Sequence, residues 1–294
     1  MLWKSRYAMT SSTRTFITQP PRDLAGWRAC FDAAQLPVLA STARFLEDWR
    51  LTEDAADAHS LAETLATDPL MMLKLLAHVA ELRRGREGSE PETATEALVM
   101  LGITPFFRAF GPQPVAEEWL AQDEAALAGF TEVLRRSHRA ANFAIGFAVH
   151  RLDHDAAVIH EAALLHDFAE LLLWLHAPSL ALEIQHRQRA DPTLRSAAVQ
   201  REVLGIELVD LQHALMQAWR LPGLLVRITD NHAPAAAQGG HMQLRNVLLA
   251  IRVARHSAHG WDNAALPDDV RDIAEMLHLS VDATKRLLID IETE

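Results

Sequence analysis

The chain has one cysteine, Cys30, and one tyrosine, Tyr7. A lone thiol excludes an intrachain disulfide, a thiolate zinc site and a CxxC redox pair, and it fits a reducing, cytoplasmic compartment. Cations are also scarce. Lys plus Arg number 28 against 39 Asp plus Glu, a formal net charge of −11. A general nucleic-acid binder, which needs a basic surface, is therefore disfavoured. Long apolar runs are missing too. The most apolar stretch, 161–177, contains Glu161, His166, Asp167, Glu170 and His176, too many polar groups for a membrane span of about 20 residues. The N-terminal residues lack the apolar core of about 7–15 residues found in a signal peptide. There is no alternating strand pattern, GxSxG elbow or P-loop. No repeat with a period of about 20–50 residues appears, which excludes a solenoid.

What is present is apolar material at helical spacing. Hydrophobic residues make up 49% of the 294, enough for a sizeable core. Residues 1–28 carry a local net charge of +4, leaving −15 for the rest, and the stretch 9–22 is rich in Ser and Thr and ends in Pro20-Pro21. Residues 1–22 therefore read as a flexible tail, with Trp3 and Trp27 as candidate anchors. Beyond it the spacing predicts helices over 38–50, 60–67, 69–82, 94–101, 104–110 and 114–152, the last as one or two helices. Further helices are predicted over 155–176, 178–190, 195–204, 207–220, 222–230, 241–259, 267–278 and 280–292. Asp68 before Pro69 is a helix-start signal. APAAAQGG, 233–240, reads as a linker. The expected organisation is all-α: a helical domain over 23–258 and a packed helical extension over 259–294.

Two places combine chemistry with burial. His166 and Asp167 interrupt a segment that is apolar nearly all round. A buried carboxylate is costly unless paired, hydrogen-bonded or bound to a metal. The doublet reads either as a metal-ligand pair or as a polar pair joining helices. His138 falls on the stripe of Phe130, Val133, Leu134, Ala141, Ala144, Ile145 and Ala148, and so faces the core. On 244–258 the inward stripe of Leu244, Leu248, Ile251 and Ala258 includes Arg255.

Leu36-Pro37, Leu61-Ala62, Asp68-Pro69-Leu70, Lys74-Leu75-Leu76 and Glu96-Ala97-Leu98 with Leu101-Gly102 follow one another along the chain. His138, Ala163 to Asp167, Glu202, Leu204-Gly205-Ile206, Trp219, Leu221-Pro222, Ile228 and His232 come next. In this order they resemble the HDOD family, the degenerate signalling relatives of the HD phosphohydrolases, over roughly 30–258. The resemblance implies an HD-like multi-helix bundle and a bacterial regulatory module that binds a signalling protein or a ligand without catalysis. It also defines the alternative, a divalent-metal phosphohydrolase or phosphodiesterase acting on a nucleotide or cyclic dinucleotide. In active relatives a first His, the His-Asp doublet and a later Asp hold a metal that activates water. His138, His166 and Asp167 match the first three, with His232 a further candidate. Fe, Mn or Zn would be the cofactor of that alternative. Arg255 stands where the later Asp is expected, and a guanidinium offers no lone pair to a metal. The Gly-Tyr-Pro motif of the branch that cleaves cyclic dinucleotides is absent. The resulting expectation is a site without metal, in which Arg255 reaches Asp167. HRLDH, 150–154, lacks the glutamate of HExxH and reads as helix-end surface. Arg135, Arg136 and Arg139 read as a solvated basic face.

Overall fold

The computed structural model describes residues 15–51, 58–85, 91–191, 193–228 and 242–293. Among these the chain is helical throughout, with no strand and one isolated bridge, Val38 to Val115. The sequence-based all-α reading is thus the observed fold. No helix among the described residues is long and apolar enough to cross a membrane.

Local signals set the first elements. Asp23 caps α1 (Leu24–Ala29) by accepting the Gly26 amide. Trp27, fully buried, donates its Nε1–H to Leu204 O at 3.0 Å. It thus anchors this end of the chain, while Trp3 lies outside the described residues. Phe16 and Ile17 pack on the core, and the Ile17 amide donates to His176 O. Next come α2 (Ala40–Arg50), α3 (Ala58–Leu65) and α4 (Pro69–Leu82). Asp68 caps α4 from a fully buried position. Its Oδ1 accepts the Leu70 and Met71 amides, and its Oδ2 accepts the Leu39 amide at 2.8 Å. One carboxylate so ties a helix start to the preceding segment. Burial pushes its carboxyl up, against these hydrogen bonds. Lys74, on the same helix, donates to Leu36 O at 2.6 Å and Gln113 Oε1 at 2.5 Å. Burial pulls its ammonium down to about 8. Asp68, Pro69 and Lys74 are therefore structural fastenings.

Gly102, at φ 83°, turns the chain between α5 (Ala94–Leu101) and α6 (Ile103–Ala109). After α7 (Ala116–Leu120), Asp123 caps the 28-residue α8 (Glu124–Arg151). α9 (Ala156–Leu164) and α10 (Phe168–His176) follow, then α11 (Pro178–Ala190), α12 (Ser196–Leu204), α13 (Leu208–Ala218) and α14 (Gly223–Ile228). The last helices are α15 (Met242–His256), α16 (Leu266–Leu277) and α17 (Val281–Thr293). The core is organised round α8, which packs against α9, α10, α11, α15 and α17. α16 and α17 close on it through buried Ile273, Leu277 and Leu288. Buried Asp269 binds Arg252 and His256 of α15.

The single helix predicted over 155–176 is corrected to two. The break falls at 165–167, where the bonds shorten to i→i−3: His166 N to Ala163 O at 3.4 Å and Phe168 N to Leu165 O at 3.3 Å. The Asp167 side chain makes no cap there. It is committed to another helix instead. The predicted linker 233–240 lies outside the described residues.

Gly129 lets α8 and α10 touch. A Cβ there would meet the Trp174 ring at 2.3 Å. Gly129→Ala would gain about 1 kcal/mol of helix propensity but force a rigid indole aside, an overpacking cost of about 1–3 kcal/mol. A net loss of stability is expected in urea unfolding. A variant more stable than the parent would contradict this packing.

Candidate functional site

Breaking the chain between α9 and α10 turns the doublet toward α8. Arg136 meets it there. Its Nε lies 3.0 Å and its Nη2 2.8 Å from Asp167 Oδ2, and Nη2 also reaches Glu170 Oε2 at 2.7 Å. The three side chains are 17%, 14% and 32% exposed. His166 Nδ1 lies 3.1 Å from the other oxygen, Asp167 Oδ1, which suits the Nδ1–H tautomer. Arg255 Nη2 stands 3.9 Å from that same Oδ1, with the side chain 54% exposed. Burial alone would push the Asp167 carboxyl up. The Arg136 charge outweighs it, with help from His166 and Arg255, and holds the group well below the ordinary carboxylate range.

Arg136 is the residue that sequence reasoning missed, and the solvated-face reading is corrected for Arg136 and Arg139, while Arg135 is exposed as expected. Arg139 donates to Ala254 O and Ser257 Oγ at the end of α15 and pairs with Glu292 of α17. Arg135 reaches Ala258 O at 3.4 Å. Arg136 and Arg139 fasten helices together. The signal was available. Arg136 lies three residues after buried Val133 and four before buried Ala140, on the inward side of α8.

His138 is turned elsewhere. Its Nε2 lies 2.7 Å from Thr67 O, and because a carbonyl only accepts, Nε2 carries the proton. Its electrostatic neighbour is His160, whose imidazolium burial disfavours, as does His138. His232 lies outside the described residues. Among the described residues no three His, Cys, Asp or Glu side chains are grouped as a metal site. The doublet does not fit a divalent cation as it stands. One Asp167 oxygen holds a guanidinium, the other faces a second, and the proton-bearing His138 Nε2 is engaged with a backbone carbonyl.

The model of the HDOD domain family matches residues 36–234. The chain belongs to the HDOD domain family. No curated protein matches its sequence. Among solved structures, this HDOD chain is similar to the MmoQ response regulator of Methylococcus capsulatus str. Bath. Identity is 17%, coverage is 88% of this chain and 98% of that one, and the TM-score is 0.65. It is also similar to a virulence factor of Campylobacter jejuni, at 14% identity, 92% and 98% coverage and a TM-score of 0.62. At such identities the likeness is one of fold. HDOD motif residues divide accordingly between fastenings, such as Asp68 and Lys74, and the cluster round Asp167.

Proposed function

We propose that this HDOD domain is a cytoplasmic regulatory module of bacterial signalling that binds a protein partner or a small ligand and performs no catalysis. The observation that carries the reading is the guanidinium of Arg136 on Asp167, with that of Arg255 beyond it. Two fixed cations stand around the carboxylate that would have to ligate a metal, and a third positive centre there would be repelled. The fold shared with a protein described as a response regulator supports the signalling part of the reading.

Metal content of the purified protein, with hydrolysis of bis(p-nitrophenyl) phosphate in the presence of added Mn, tests it. No stoichiometric metal and no hydrolysis above the blank are expected. Stoichiometric Fe, Mn or Zn, or turnover abolished by Asp167→Asn, would overturn the proposal in favour of the phosphohydrolase.

A further inference from the structure

We infer that a cavity beside the Asp167 cluster binds a small zwitterion, an α-amino acid with an apolar side chain. This deepens and rests on the reading of the chain as a binding module. The cavity measures about 340 Å³ and opens between α8, α10, α11 and the first residues of α12 and α13. At about 30 Å³ per water molecule it has room for an occupant of on the order of ten non-hydrogen atoms. That admits an amino acid and is too small for a dinucleotide. Val133, Leu173, Trp174 and Ile184 give it an apolar floor.

Its charges set the ligand class. Glu132, Glu170, Arg136 and Arg189 all line the cavity, two carboxylates against two guanidiniums. A plain anion would face both glutamates, and a plain amine both arginines. A molecule with one charge of each sign and none in sum suits this wall. Arg136 spends Nε and Nη2 on Asp167 and Glu170. Its Nη1 has no protein partner among the described residues, so one edge of a mostly buried guanidinium remains for a ligand carboxylate. Gln185 and Gln188 line the same cavity, and neither amide is hydrogen-bonded to protein among the described residues. Glu132 is the carboxylate for the ammonium, since its contacts to Arg189 and His259 are long, at 3.8 Å each. The side chain then lies on the apolar floor. This arrangement follows the pattern of small-molecule sites, mostly apolar with a few polar groups fixing orientation.

Isothermal titration of the full chain with L-leucine, L-methionine and L-phenylalanine tests the inference, with inorganic phosphate as the anion control. Saturable one-site binding of at least one amino acid is expected. Its N-acetyl form, which lacks the ammonium, should bind at least about tenfold more weakly, as should the amino acid to Glu132→Gln and to Gln185→Leu. Both positions are partly exposed, and thermal melting confirms that each variant is folded. Should one not fold, the other variant and the N-acetyl comparison still decide. No heat with any of the three amino acids, equal binding of the N-acetyl form, unchanged affinity in the folded variants, or tighter binding of phosphate would overturn it. The two proposals fail separately. Metal or turnover sinks the regulatory reading whatever the titration shows, and a silent titration sinks only the ligand class.

Discussion

Replacing Arg136 with alanine is expected to cost about 3–5 kcal/mol of stability at pH 7, the range for removing one partner of a buried ion pair. The loss should appear in urea unfolding and as a fall in Tm on the order of 10 °C. Among the described residues Arg136 alone makes close contacts to both Asp167 and Glu170, and its removal leaves a mostly buried carboxylate whose nearest described guanidinium stands at 3.9 Å. Arg255 is too exposed to substitute. Arg255→Ala should cost no more than about 1 kcal/mol, as expected for an exposed pair. Lysine at 136 would restore a charge but not the fork that spans two carboxylates. The sign of the pH dependence provides a second check. Asp167 has a depressed carboxyl, so its contribution is present above the unfolded value of about 3.9 and is lost as the pH falls below it. The deficit of Arg136→Ala should therefore narrow in acid. A double-mutant cycle with Asp167→Asn should show strong coupling, because each change removes the same contact. A loss below about 1 kcal/mol for Arg136→Ala would show that the pair is screened by water.

Local physics made the fold legible and long-range pairing hid the site. Asp68 before Pro69 and Asp123 before Glu124 announce helix starts because a cap acts on amides two or three residues away. The stripe on 130–148 is one helix face, and that helix is the centre of the fold. The break at 165–167 was invisible for the opposite reason. Its apolar residues continue the helical pattern on both sides, and only Arg136, 31 residues earlier, gives Asp167 a reason to leave it. The sequence placed Arg255 near Asp167 by alignment of a motif, and the contact exists at 3.9 Å. The alignment carried no information on Arg136, because a second guanidinium has no counterpart in a metal site either. The cavity was equally hidden. Gln185, Glu132 and Trp174 come from three helices and share no spacing. Glu161 was visible only as a polar interruption of an apolar stretch.

Glu161 gives the other large effect, one whose sign reverses with pH. It is 4% exposed, and both its oxygens face the Ala94 amide at 2.8 and 3.1 Å, at the start of α5. Burial raises its carboxyl to about 8, assisted by the charge of Glu96 and opposed by the Ala94 hydrogen bond. In the unfolded chain the group ionises near 4.5. Between these values the unfolded state releases a proton that the folded state keeps, so stability falls with rising pH. The contribution is full below pH 4.5 and is lost as the pH climbs through about 8. Each pH unit of the gap is worth about 1.4 kcal/mol, making the whole effect roughly 3–5 kcal/mol. Glu161→Gln removes the titration and keeps an acceptor for Ala94, but it buries an amide N–H₂ at a cost of about 1–3 kcal/mol if unpaired. At pH 5 the variant should therefore be less stable than the parent. By pH 8 it should be more stable, with the two crossing between. Urea unfolding of both proteins at pH 5, 6, 7 and 8 reads this directly. A constant difference across the series would mean that Glu161 titrates alike in the folded and unfolded chains, and that its contact with α5 is made by an ordinary, hydrated carboxylate.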